Sequence, residues 1–90
     1  MIQRKVTICN KLGLHARASS KLAQTAAQFG SRISIGPRED QLVDCKSIMA
    51  LMMQAAGIGS ELLLVADGDD EDCAINAVDE LIANRFGEEE

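Results

Sequence analysis

Apolar and polar residues alternate at the start of the chain: Ile2, Val6 and Ile8 are interleaved with Gln3, Lys5 and Thr7. A period of two is what a strand with one buried face requires. Asn10-Lys11-Leu12-Gly13 breaks the pattern as a loop, with Gly13 free to take a positive φ. From Ala16 the spacing lengthens, and Leu22, Ala26 and Phe29 recur four and three positions apart, predicting a helix that Gly30 ends. Ile33 and Ile35 mark a short second strand, Gly36 to Asp40 a turn, and Leu42-Val43 a brief third strand. Ser47 is placed to cap a helix running to Ala56, closed by Gly57-Ile58-Gly59. Glu61 to Ala66 is a continuous β-prone run and predicts a central strand. Asp67-Gly68-Asp69-Asp70 forms a turn whose acids complement the dipole of a last helix. Ile75, Val78, Leu81, Ile82 and Phe86 give that helix one apolar face, and Gly87 ends it.

The order strand, helix, strand, strand, helix, strand, helix predicts an α+β open-faced sandwich. Its four-stranded antiparallel sheet is covered on one face by three helices (βαββαβα), with the long first and last helices side by side. Ninety residues suit a single domain, 1–90. The terminal acids, Glu88, Glu89 and Glu90, are expected to be a solvated, frayed tail.

Composition removes several function classes. Phe29 and Phe86 are the only aromatic residues, so there is no stacking platform for single-stranded nucleic acid. A formal net charge of −5 argues against binding phosphate backbones. No stretch approaches the roughly 20 apolar residues that insertion across a bilayer needs, and the start lacks the apolar core of a signal peptide. Cys9, Cys45 and Cys73 are odd in number and far apart, offering neither a disulfide framework nor a zinc knuckle. They are expected to be small core or strand fillers in a cytoplasmic protein with reduced thiols. Charge is unevenly placed: residues 1–48 hold eight Lys/Arg against three Asp/Glu, residues 49–90 one against eleven.

The sole histidine, His15, lies in the basic half, at the predicted junction of loop and first helix. A helix N-terminus presents unpaired N–H groups and the positive end of the dipole, which stabilise an anion. Arg17, two residues on, offers a fixed fork of donors suited to phosphate oxygens. A neutral imidazole in that setting is a sensible phosphoryl carrier, though a lone loop histidine without a role is the plainer reading. A metal site is disfavoured because no second histidine or paired cysteine sits at ligand spacing, and no cofactor is expected. Hydrolytic chemistry lacks a nucleophile tied to His15 by sequence.

Asn10-Lys11-Leu12-Gly13-Leu14-His15-Ala16-Arg17 resembles the active-site segment of the HPr family, the histidine-containing phosphocarriers of the phosphoenolpyruvate-dependent phosphotransferase system. The resemblance extends over essentially the whole chain, through Lys46-Ser47-Ile48-Met49 and Gly68-Asp69-Asp70-Glu71. It implies a non-enzymatic carrier with a transient phosphohistidine, in which His15 accepts phosphoryl through Nδ1 from phosphorylated enzyme I and passes it to an enzyme IIA domain. Arg17 and the backbone amides of Ala16 and Arg17 would hold the group. The chain departs from the commonest pattern at Ala18, where many members have proline. Gln24, Ala27 and Ala50 are neutral where basic residues often rim the partner surface, while Lys21 and Lys46 remain.

The second helix, around Ile48-Met49-Ala50-Leu51-Met52-Met53, is too apolar for an ordinary amphipathic helix. A stripe of Ile48, Leu51 and Ala55 could face the sheet. The methionines then form either a buried filler or an exposed adaptable patch, since methionine repacks against varied partners. The resemblance implies the second, with Ser20, Ile48, Met49 and Met52 docking donor and acceptor. It also implies Ser47, besides its capping role, as a candidate for regulatory phosphorylation by a serine kinase, and it leads us to expect a monomer. Met52-Met53, the Ala18 substitution and the Phe86-Gly87-acidic end look more like the nitrogen-related branch of the family, with sugar uptake as the other branch. The alternative of a different class is a non-phosphorylated interaction module using the 47–56 surface.

Overall fold

The computed structural model describes residues 1–54 and 56–89. Four strands, β1 (Ile2–Thr7), β2 (Arg32–Gly36), β3 (Val43–Asp44) and β4 (Glu61–Asp67), form one antiparallel sheet in the order β1-β4-β2-β3. Three helices, α1 (Ala16–Ala26), α2 (Ile48–Met53) and α3 (Glu71–Ala83), are followed by a short 3₁₀ turn, Arg85–Gly87. This is the expected α+β open-faced sandwich. The most apolar strand, β4, lies between β1 and β2, where both of its edges are hydrogen-bonded. Its registers run from Ile2↔Ala66 to Thr7↔Glu61 on one side and from Arg32↔Asp67 to Gly36↔Leu63 on the other.

These registers place Val6, Leu62, Leu64, Ala66, Ile33 and Ile35 on one face, all buried. Leu22 and Ala26 of α1 and Ile75, Val78 and Ile82 of α3 close over them, and α1 and α3 also pack on each other. Charges far apart along the chain meet in space. Arg4 of β1 donates to Asn76 at 2.9 Å and pairs with Asp79 at 3.0 Å, both on α3, and the N-terminal ammonium meets Glu71 at 2.9 Å. The basic and acidic halves therefore interleave, in exposed pairs of small individual worth.

Several boundaries differ from expectation. α1 stops at Ala26, three residues short of Phe29, and the Phe29 carbonyl accepts from Lys46 Nζ at 2.8 Å instead of continuing a helix. β3 is Val43–Asp44 rather than Leu42-Val43, because its register with β2 pairs Ser34 with Asp44. α2 ends at Met53, so it is shorter than the predicted 47–56. Ala55 lies outside the described residues. In α2 only Leu51 is buried; Ile48, assigned to the inward stripe, is exposed. Asp70 starts α3 but does not cap it with its side chain. Its carboxylate reaches across to accept from Gly30 N and Ser31 N, each at 2.9 Å, and from Ser31 Oγ. Those hydrogen bonds, the Ser31 hydroxyl foremost, hold the Asp70 carboxyl below its ordinary value.

The end of α3 departs most. Phe86 is not on the helix: Arg85 and Phe86 both adopt φ of 55°, and Gly87 follows at 78°. Left-handed backbone is costly for residues with a Cβ. Here it reverses the chain so that Phe86 turns wholly into the core. Lys21 Nζ donates to the Phe86 carbonyl at 2.6 Å and fastens this turn to α1. Glu88 is consequently not a frayed, solvated tail: it is half-buried and docked. Glu90 lies outside the described residues.

Candidate functional site

The loop between β1 and α1 is pinned from both sides. Asn10 is fully buried, and its Nδ2 donates to the Gly13 carbonyl at 2.8 Å. Gly13 has φ of 65°, and a Cβ there would lie 2.2 Å from the Ala56 carbonyl oxygen, so only glycine permits the approach. The adjacent Leu14 N–H donates to that same oxygen at 2.9 Å, joining the loop to the segment after α2. Buried Ser19 donates its hydroxyl to the Leu14 carbonyl at 3.1 Å. Every one of these contacts fixes backbone on either side of His15.

His15 is the N-cap of α1, in extended conformation, and its carbonyl accepts from Ser19 N at 2.8 Å. Its imidazole makes no capping hydrogen bond. The ring is thus held at the helix start without being consumed by it, and the first-turn amides of Ala16 and Arg17 have no intrahelical acceptor. An anion seated there meets those donors and the positive end of the helix dipole. The exposed Arg17 lines the same open depression, together with Lys11, Leu12, Lys21, Gly87, Glu88 and Glu89. Among the described residues Arg17 has no carboxylate partner, so its guanidinium is available to a phosphoryl oxygen.

Sequence reasoning missed Glu88 and Asn10 at this site. Asn10 Nδ2 donates to Glu88 Oε1 at 3.0 Å, and His15 Nε2 is hydrogen-bonded to Glu88 Oε2. The Asn10 donor, then the contact with His15, holds the Glu88 carboxyl below the usual glutamate range against the opposing effect of desolvation. The acidic chain end, expected as a solvated tail, therefore meets the histidine through Glu88. The one available signal was Phe86-Gly87, an aromatic anchor directly before the acids. No spacing pattern links residue 88 to residue 15.

The remaining sequence candidates fall on a neighbouring surface. α2 packs against α1. Met49 is 71% exposed and Met53 81%, with Ile48 and Met52 at 42% and 43%. The methionines are therefore an outward patch rather than buried filler, and Met53, which was not among the expected docking residues, is its most exposed member. Ser20 is half-buried on α1 and its Oγ accepts from Gln24 Nε2 at 3.3 Å. Ser47 caps α2, its Oγ accepting from Ala50 N at 3.2 Å.

The three cysteines separate by environment. Cys45 is buried, as a core filler should be, and burial pushes its thiol up to about 12. Cys9 is half-buried, with Sγ donating to the Ile82 carbonyl at 3.2 Å. Cys73 is exposed on α3 and is not a core filler. Among the described residues no group of His, Cys, Asp and Glu is arranged to hold a metal ion, and no helix is long and apolar enough to cross a membrane.

A family model described as the PTS HPr component phosphorylation site matches residues 2–84. A protein named phosphocarrier protein HPr from Cupriavidus necator is 58% identical over 90 residues, all of both chains. One of the same name from Pseudomonas aeruginosa is 50% identical over 86 residues, 96% of each chain. The crystal structure of HPr-C-His from Thermoanaerobacter tengcongensis matches with a TM-score of 0.92 at 41% identity, covering all of both chains.

Proposed function

Because this chain belongs to the HPr family of phosphocarriers of the phosphotransferase system, we propose that it carries phosphoryl on His15, taken in the cytoplasm from phosphorylated enzyme I and passed to an enzyme IIA domain. The observation that carries this reading is His15 itself: an N-cap whose ring is free of capping duty, beside open first-turn amides and Arg17. The amides of Ala16 and Arg17 and the Arg17 guanidinium hold the transferred group as a dianion. Arginine suits this because its fork is always charged and bidentate. An aliphatic patch containing Ile48, Met49 and Met52, with Ser20 at its margin on α1, docks donor and acceptor in turn. Methionine tolerates two differently shaped partners because its side chain repacks at low cost. The monomer is the unit that works, in the nitrogen-related branch rather than sugar uptake, on the strength of Met52-Met53, Ala18 and the Phe86-Gly87-acidic end. Phosphorylation of Ser47 by a serine kinase would place a dianion at the edge of this apolar patch and weaken docking.

Incubation with phosphoenolpyruvate and cognate enzyme I, followed by intact mass measurement, tests the carrier reading. One acid-labile phosphoryl group is expected; an unchanged mass with demonstrably active enzyme I overturns it. Supplying carbohydrate-type and nitrogen-type enzyme IIA acceptors in competition then tests the branch, and equal transfer to both removes the preference. Met49→Glu puts a charge into the centre of the docking patch and is expected to slow transfer about tenfold, as loss of about 1.4 kcal/mol of docking energy would. Its melting temperature should not move, because Met49 is exposed. Unaltered transfer kinetics would place the interface elsewhere.

A further inference from the structure

We propose that Glu88 is a positioning residue for His15: it holds the imidazole in the tautomer protonated at Nε2, so that Nδ1 carries the lone pair that takes the phosphoryl group. The inference rests on the carrier reading above and adds a residue to its machinery. The geometry is a relay of three side chains. Buried Asn10 donates to Oε1 of Glu88, and Oε2 of Glu88 faces Nε2 of His15. Asn10 is itself oriented by its second bond, to the Gly13 carbonyl, so its amide nitrogen points at two acceptors and its orientation is determined. With Asn10 donating to one oxygen, the carboxylate is kept ionised, and an ionised carboxylate only accepts. The proton in the contact with His15 therefore belongs to the ring, on Nε2. A neutral ring has one N–H, so Nδ1 is left bare, as second-sphere carboxylates fix histidine tautomers elsewhere.

The arrangement serves both halves of the transfer without moving a proton. The Nδ1 lone pair forms the N–P bond while the donor's bond to phosphorus breaks and its electron pair returns to the donor. The ring, still protonated at Nε2, becomes cationic, and Glu88 Oε2 lies on that proton. In onward transfer the acceptor's lone pair forms the new bond to phosphorus, the N–P electron pair returns to Nδ1, and the neutral Nε2–H ring is restored. Lys11, Arg17, Lys21 and Glu89 line the same depression. Lys21 lies close enough to favour the ionised Glu88. The contact exists only because the left-handed Arg85–Gly87 turn sends the chain back across α1.

Nitrogen-15 chemical shifts of His15 in the full chain, at a pH where the ring is neutral, read the tautomer directly. The parent protein is expected to show the Nε2–H form alone, Glu88→Ala averaged signals from both tautomers, and Glu88→Gln, which keeps an acceptor without the charge, an intermediate result. The initial rate of phosphoryl uptake from enzyme I should fall about tenfold in Glu88→Ala and recover in part in Glu88→Gln. Unchanged shifts in Glu88→Ala overturn the proposal, as does an unchanged rate. A parent protein that takes up no phosphoryl group at all overturns the carrier reading instead, while the tautomer measurement still reports on the Glu88 contact.

Discussion

His15→Ala should abolish phosphoryl uptake from enzyme I, with no acid-labile group detectable by mass under conditions that fully load the parent protein. The expectation is strong because the sequence holds one histidine, so the variant has no imidazole to form the acid-labile N–P bond, and the lysines and glutamates lining the site are cations and carboxylates. Stability should change little. The His15 side chain makes no capping hydrogen bond, and its backbone carbonyl, which anchors Ser19 N, survives the substitution. Loss of the ring leaves Glu88 still held by Asn10, so the tail should stay docked. A shift within about 0.5 kcal/mol in denaturant unfolding is the expected result, typical of changes outside the core. Residual histidine-type phosphorylation in His15→Ala would remove the assignment. A collapse in stability would mean that the variant reports on folding rather than chemistry.

The second large effect falls on the fold. Phe86→Ala should cost about 3–5 kcal/mol, the usual range for deleting a buried aromatic side chain. Phe86 is fully buried and is the largest of the completely buried side chains among the described residues. Natural domains of this size have only about 5–13 kcal/mol in total, so the variant should sit near the edge of folding. Denaturant titration should show a large fall in midpoint with an unchanged slope. The alanine would still have to adopt a φ of 55°, now without the burial that offsets that backbone cost. Phe86→Leu should retain most of the stability. A loss below about 1 kcal/mol in Phe86→Ala would show that the turn is held mainly by Lys21 and the backbone rather than by the aromatic anchor.

These two residues mark different degrees of legibility. His15 stood out because helix starts, arginine forks and anions obey local rules: the loop glycine, the onset of helical spacing at Ala16 and Arg17 two positions on all lie within a few residues. Ser47 as N-cap and the one-faced strands followed from equally local patterns. Phe86 could be assigned to the core from its apolar spacing with Ile75, Val78 and Ile82, yet its route there could not. The spacing suggested a continued helix, whereas the chain leaves helical geometry at Asn84 and turns left-handed. Burial against α1 and α3, with the Lys21 hydrogen bond, offsets the cost of that strained turn, and both are properties of the assembled fold. The α2 methionines were ambiguous for a similar reason, since a buried and an exposed apolar helix carry the same residues.

From the sequence alone came the order and type of the elements, the α+β class and the placing of His15 at the start of α1, because each depends on interactions spanning a turn or a strand. Tertiary structure decided what depends on distant segments meeting. It put β4 between β1 and β2, left Met49 and Met53 facing outward while Leu51 turned in, and buried Cys45 but not Cys73. It also brought Glu88 across a separation of 73 residues onto His15. Hydrophobic spacing records which face of an element is apolar; it carries no record of which other element will cover that face, or of which polar group the closing turn delivers beside it.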